Sequence, residues 1–297
     1  MTTRLLFVHA LSPLHAGTGQ GIGVIDLPIA REKATGLPFL PGSSIKGTLR
    51  DSCAQPERDI VFGPETLDPN KFTGAAQFAD ARLLLLPVRS LTGTFAWVTS
   101  PYILRRLVRD AEGVDGSGVP KALPIPVEPP NSDGDEECLI ATGSKIAYQQ
   151  KVFLEDLDLI AKTDQTATDE WAKWLAQHVF PGADAAAQEW QQLLIARFCV
   201  VRDDVLTFLL NTALEVTARV KLLEKTKTVQ DGGLWYEEAL PVETVLAGLV
   251  LASRPIVKAS NGALVDVFGV LTGLTNKTLQ FGGKATVGRG LCRTLLG

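Results

Sequence analysis

The sequence predicts an α+β fold with a mostly antiparallel sheet, and three observations carry that prediction. Short apolar or alternating segments interleave with segments of helical period, without the strict βαβ order of a parallel sheet. A long hairpin pattern runs through "EVTARVKLLEKTKTVQDGGLWYEEALP". The 297 residues are 45% hydrophobic and 21% charged, a globular balance that allows a large core, and they contain no internal repeat.

The elements follow in order. Residues 4–11 (RLLFVHAL) read as a strand leading into a glycine loop at 17, 19, 21 and 23. "LPFLPGSSIKGTLRDSCA" reads as a turn at Pro41–Gly42 and then a helix. Ser43 or Ser44 is its expected N-cap, with Ile45 and Leu49 on one face and Lys46 and Arg50 on another. "AQFADARLLLLPVRS" reads as one buried strand, and "TSPYILRRLVRDA" as a helix capped by Ser100 with Pro101 at its first position. Residues 112–137 are rich in Gly, Pro and acid and lack periodicity, so they read as a flexible loop. Within 168–196 lie two amphipathic helices broken at Pro181–Gly182, followed by a short helix in "VRDDVLTFLLNTA". The hairpin is expected to turn at Gly232–Gly233 and to lead into a core strand. "VDVFGVLTGLTN" reads as helix, and "LQFGGKATVGRGLCRTLL" as strand, glycine loop and strand.

Composition removes several function classes. Cys53, Cys138, Cys199 and Cys292 form no C-x-x-C pair, and His9, His15 and His178 are not grouped, so neither zinc nor a disulfide framework is expected. No apolar run is long enough to span a bilayer, and the N-terminus does not read as a signal peptide. A cytoplasmic protein with no membrane partner is the expectation. Net charge is −4, yet residues 254–297 hold six basic side chains against Asp266 alone, and residues 1–50 hold five against Asp26 and Glu32. Packed together, the two ends would form a basic face suited to a polyanion; scattered, they are ordinary solvated charges.

The glycine motifs decide against a nucleotide cofactor. No register of the glycines from 17 to 23 gives G-x-G-x-x-G, and position 278 is Thr where a P-loop ending at "GGK" needs Gly. Three anion-friendly loops survive. Gly17, Gly19 and Gly21 permit close backbone approach to phosphate; "PGSSIKG" adds Ser43, Ser44, Lys46 and Arg50; "GGKATVGRG" adds Lys284 and Arg289. Each loop taken alone is equally a tight turn. On residue chemistry, Asp26 is a turn-capping carboxylate and His15 a structural histidine. Trp235, Tyr236 and Glu237 read equally as strand packing or as a nucleic-acid surface, and Lys225 as an edge charge or an RNA contact.

The run "LSPLHAGTGQGIGVIDLPIAREKATGLPFLPGSSIKGTLRD" resembles the N-terminal signature of the RAMP superfamily, and more narrowly the backbone subunits of type III-B (Cmr) CRISPR effectors. "RVKLLEKTKTVQDGGLWYEEALP" and "LQFGGKATVGRGLCR" are similar to further segments of that family, in the same order. Gly282 and Gly283 are adjacent where the general pattern separates two glycines by a hydrophobic residue. The resemblance implies a single domain over 1–297, with an RNA-recognition-like (ferredoxin-type) palm built from 1–52 and 254–297, a helical insertion at 165–211 and a β-hairpin thumb at 213–241. It implies copies stacked along CRISPR RNA, a complementary single-stranded target RNA, and other Cmr-type subunits as partners. It also implies that Asp26 is needed to cut the target, with His15 as the second catalytic candidate. Gly17, Gly19, Gly21, Ser43, Ser44, Lys46, Arg50, Lys284 and Arg289 would then contact RNA, and Lys225, Trp235, Tyr236 and Glu237 the target at the thumb. Asp26 would act as base or as holder of a divalent ion of the magnesium or manganese class, since one carboxylate is too few for a two-metal site. Two other readings stay open: a non-catalytic scaffold whose partner cuts, and a CRISPR RNA-processing endonuclease.

Overall fold

The computed structural model describes residues 1–18, 25–64, 72–114, 116–127, 136–163, 166–255 and 264–297. Gly19, Gly21 and part of the 112–137 segment lie outside the described residues. The first strand, β1 (Thr2–Ala10), is buried from Leu5 to Ala10 because it is covered on both faces. Alternation sends Phe7 and His9 to one face, where they meet Trp174 at 6.0 Å and Phe180 at 5.4 Å edge-on. Arg4 points to the other face and lies over the Phe268 ring at 4.6 Å.

Next come β2 (Phe39–Leu40), α1 (Gly42–Ser52) and α2 (Glu57–Phe62). The expected serine cap on α1 is not used. Its first N–H, from Gly42, is satisfied at 2.8 Å by the Asp80 carboxylate, which arrives from the turn between β3 (Ala76–Phe78) and β4 (Ala81–Arg89). The single strand expected at 76–90 is therefore two. After β5 (Phe95–Thr99), α3 (Pro101–Ala111) begins at Ser100 with Pro101 at the first position, as expected. Here too the cap bond is remote: Asp203 accepts the Tyr102 N–H at 2.9 Å.

Residues 116–127 contain no helix or strand, but Trp171 and Trp174 donate their indole N–H groups to Ala122 and Ser117 carbonyls at 2.8 and 3.0 Å. Strands β6 (Glu137–Ile140), β7 (Ala147–Tyr148), β8 (Lys151–Leu154) and β9 (Leu157–Lys162) follow, in a region whose sequence gave no strand expectation. The helices α4 (Thr166–Val179) and α5 (Ala185–Arg197) form the expected pair, then β10 (Phe198–Val200) and α6 (Asp203–Thr212).

The hairpin is β11 (Glu215–Leu222) and β12 (Val229–Ala239), antiparallel with Thr217 opposite Glu237. Its tip is residues 223–228, not the glycine pair. Gly232, at φ +69°, and Gly233 sit inside β12, facing a register shift between Val220 and Leu222. A glycine pair in a strand interior makes a bulge as readily as a turn.

The chain closes with β13 (Val245–Ala252), α7 (Val267–Leu274), β14 (Thr278–Gln280) and β15 (Leu291–Leu296). The main sheet runs β14-β15-β1-β13-β4-β5-β10-β6-β9-β8-β7, with β2 beside β4 and β3 beside β13. Only the β5–β10 and β6–β9 pairs among the described strands are parallel. The fold is thus mixed α+β around one large, mostly antiparallel sheet. Pairing of β1 with β15 brings residues 6–10 and 292–296 side by side, the arrangement on which the basic-face reading of the charges depended. Among the described residues, no helix is long and apolar enough to cross a membrane.

Candidate functional site

The glycine-rich loop after β1, the loop before β15 and the root of the hairpin converge on one place. Leu14 exchanges backbone hydrogen bonds with Leu240 at 2.9 Å, and the His15 carbonyl accepts the Gly283 N–H at 3.0 Å. His15 is buried between them, its Nδ1 2.7 Å from the Glu238 carbonyl oxygen. A carbonyl only accepts, so Nδ1 carries a proton in this contact. Gly17 lies against the ring Nε2: a Cβ there would come within 2.6 Å of it. Gly17 is required by this contact, and His15 braces the loop.

Asp26 is exposed, and its Oδ2 accepts the Tyr236 N–H at 2.8 Å. The neighbouring Leu27 donates to the Tyr236 carbonyl at 3.1 Å and accepts from Glu238 N–H at 3.0 Å. Residues 26–27 thus run along the outer edge of β12 like a short extra strand. The arrangement puts one solvent-facing carboxylate at the hairpin root, beside the exposed Tyr236 ring.

Glu237 and Glu238 point to opposite faces of β12, and each has a different task. The Glu237 carboxylate is 3% exposed and gathers three cations: Lys284 at 2.9 Å, Arg219 at 3.3 Å and Arg289 at 3.9 Å. Trp235 adds an indole N–H at 2.8 Å. Burial by itself raises the Glu237 carboxyl, but the hydrogen bonds from Trp235 and Lys284 and the charges of Lys284 and Arg219 outweigh it, holding it at about 2. Glu215, across from this cluster, is instead pushed up by burial, with Arg289 only partly offsetting it. Glu238, on the other face and buried, accepts the Ile29 N–H at 3.0 Å and pairs with Arg31 at 2.6 Å.

The expected RNA-contact residues divide. Ser43 and Lys46 lie on the accessible side of α1 with Ser44, and Lys46 makes no ion pair among the described residues. Arg50 bonds the Gly63 carbonyl and lies 3.3 Å from Asp59, clamping α2 to α1. Arg289 is 5% exposed and donates to Thr217 at 3.2 Å, beneath the hairpin. Lys284 is one-third exposed but already engaged with Glu237. The expected basic face is therefore thinner than the count of cations suggested. Lys225 sits at the exposed hairpin tip, away from this root. Among the described residues, no group of three or more His, Cys, Asp or Glu is placed to hold a metal ion.

Sequence reasoning missed Arg31, Arg219 and Glu238. The signal available was the pair of adjacent glutamates in a strand, of which one must face inward and find a cation.

A family model of the RAMP superfamily matches residues 7–293. The chain belongs to the RAMP superfamily. Within that superfamily it is 35% identical over 304 residues to the CRISPR system Cmr endoribonuclease Cmr4 of Pyrococcus furiosus, spanning 100% of this chain and 96% of the relative. It is 22% identical to the CRISPR system CMR subunit Cmr4 of Saccharolobus solfataricus, spanning 96% and 93%. The crystal structure of oligomeric Cmr4 from Pyrococcus furiosus matches with a TM-score of 0.73 at 26% identity, over 100% of this RAMP chain and 98% of that one. A chain of the type III-B Cmr-beta complex bound to cognate target RNA shares the fold, with a TM-score of 0.70 at 19% identity over 100% and 97%.

Proposed function

We propose that this RAMP protein is the repeating backbone subunit of a type III-B CRISPR effector. Copies line CRISPR RNA alongside other Cmr-type subunits, hold a complementary single-stranded RNA and cut it at regular intervals. The full-length relationship to the Pyrococcus furiosus Cmr endoribonuclease supports the activity, and that protein's oligomeric structure supports assembly with copies of itself. The observation that carries the site is the exposed Asp26 carboxylate fixed at the root of the hairpin by Tyr236. Four free, buried cysteines suit a reducing cytoplasm, where such transcripts are met.

The spatial order β15-β1-β13-β4, with α1 following β1 and α7 following β13, supports the reading of a ferredoxin-type palm. The β11–β12 hairpin is then the thumb. Its Val220, Leu222, Val229 and Leu234 are about half exposed, an apolar surface suited to press against bases while Lys225 meets phosphate at the tip. Sequence choice is left to guide–target pairing, so the protein needs only backbone contacts, which Ser43, Ser44 and Lys46 supply.

The reaction this geometry suits is attack of a 2′-hydroxyl on the adjacent phosphate, which breaks the P–O5′ bond and leaves a 2′,3′-cyclic phosphate and a 5′-oxygen that takes a proton from water. The thumb splays the strand toward in-line alignment, and Asp26 accepts the hydroxyl proton. Lys46 offsets phosphate charge, while His15 keeps the loop in place. A divalent ion would be held here by the exposed Asp26 carboxylate. Bound there, it would supply charge neutralisation at the phosphate.

The test compares wild type with Asp26→Asn in the guide-loaded complex, using labelled complementary RNA with and without divalent metal. A regular ladder of products that Asp26→Asn abolishes while target binding persists is the expected result. An unchanged ladder would remove Asp26 from the chemistry. Full binding with no ladder in wild type would favour the scaffold reading.

A further inference from the structure

Asp26 is held by one side-chain hydrogen bond, so its aim depends on what fixes the backbone beside it. On its C-terminal side that backbone is stapled to β12 at successive points. Leu27 bonds Tyr236 and Glu238 through the main chain, and Ile29 N–H donates to the Glu238 carboxylate at 3.0 Å. The other Glu238 oxygen takes Arg31 Nη2 at 2.6 Å. Arg31 uses its Nη1 on the Gly36 carbonyl at 3.1 Å, which ties it to the turn that follows.

That turn is itself anchored to the body. Glu32 receives both guanidinium nitrogens of Arg106 at 2.9 and 2.6 Å and lies 3.2 Å from Arg82. A continuous polar chain therefore runs from α3 and β4, through Glu32 and Arg31, to Glu238 on the hairpin and on to the Asp26 segment. Glu238 is buried, so its two oxygens keep a fixed geometry only while both partners are present.

We infer that Arg31 is a positioning residue for RNA cleavage, acting through Glu238 to set the Asp26 carboxylate against the hairpin root. This rests on the reading of Asp26 given above. Arg31 does not touch the reacting atoms. It keeps the segment 26–31 and β12 in register, so its loss moves the carboxylate without removing it. A displacement of about 1 Å at a proton acceptor is enough to cost on the order of a hundredfold in rate.

The experiment measures single-turnover cleavage of labelled target RNA by the guide-loaded complex at saturating target, with affinity measured on the same preparations. Wild type, Arg31→Ala, Arg31→Lys and Asp26→Asn are compared. Arg31→Ala is expected to lower the cleavage rate constant by roughly tenfold or more while target affinity stays within about twofold. Arg31→Lys, which keeps the charge beside Glu238, is expected to recover most of the rate. An unchanged rate in Arg31→Ala overturns the inference, as does a loss of rate and affinity in parallel. Should Arg31→Ala fail to assemble, Arg31→Met keeps the bulk, offers Glu238 no donor, and carries the same expectation and the same refutation. Cleavage that survives in Asp26→Asn would sink the proposed chemistry itself, whereas an inactive Asp26→Asn beside a fully active Arg31→Ala sinks only the role of Arg31.

Discussion

Asp26 and Tyr236 are joined by a 2.8 Å hydrogen bond from a main-chain N–H to a carboxylate, across 210 positions of sequence. The donor lies on the edge of β12 that faces away from β11, so it takes no part in the hairpin's own ladder. Tyr236→Pro removes that donor and leaves the β11 pairing intact. It is expected to slow target cleavage by about tenfold or more, with Tyr236→Phe close to wild type. Product ladders from the assembled complex check it, and equal rates for the two variants would show that the bond does not matter.

The Glu237 cluster makes the hairpin root sensitive to acid. Glu237 sits at about 2 against an ordinary 4.5, so in that window the unfolded chain binds more protons than the folded one. The stabilisation is fully present above about 4.5 and is lost as pH falls toward 2. Melting curves across this range should drop more steeply for wild type than for Glu237→Gln. Parallel curves would mean that the three cations do not stabilise the ionised carboxylate.

Lys46 and Arg50 lie one turn apart on α1, yet their environments predict opposite phenotypes. Lys46→Ala is expected to weaken RNA binding, reduce the salt slope of log Kd by about 1 and leave the melting temperature unchanged. Arg50→Ala removes the link to Asp59 and Gly63 and should lower the melting temperature, because a half-buried clamp is lost. Binding isotherms at several salt concentrations, paired with thermal melts, separate the two.

Two glycines in the last loop share a left-handed backbone and differ in surroundings. At Gly288, φ +81°, a Cβ meets nothing within 4 Å, so Gly288→Ala should cost about 1–2 kcal/mol of backbone strain. At Gly290, φ +82°, a Cβ would overlap the Phe281 carbonyl oxygen, and Gly290→Ala should cost a further ~1–3 kcal/mol. Denaturant titration of the two variants ranks them, and equal midpoints would contradict the packing.

Much of the architecture was legible because it is written in local pattern. The buried run of β1, the helices at 101–111, 166–179 and 185–197, the two hairpin strands and the closing strand–loop–strand all follow local period, although the hairpin turns at 223–228 and not at its glycine pair. What escaped was set by distant partners. Asp80 and Asp203 cap α1 and α3 from other parts of the chain, so the nearby serines that local rules favour go unused. Strands β6 to β9 are two to six residues long and lie near acidic runs, too short for alternation to stand out. Of the site, the loops carrying Asp26, His15 and Gly17 stand out by motif, whereas the partners that Arg50 and Arg289 find within the fold leave no local trace. A cation's sequence gives its charge, but only the fold shows whether a carboxylate or carbonyl has already claimed it.

The position of β1 between β13 and β15 has a temporal meaning. Residues 2–9 pair with 245–252, and residues 6–10 pair with 292–296, so this strand is translated long before either of its neighbours. Throughout elongation it is a buried-type apolar segment with two open edges, the kind of template that recruits stray chains. Asp26 likewise waits for residue 236, the donor that fixes its carboxylate at the hairpin root. Synthesis of β13 and β15 closes this part of the sheet, and until then the solubility of the growing chain is its vulnerable step.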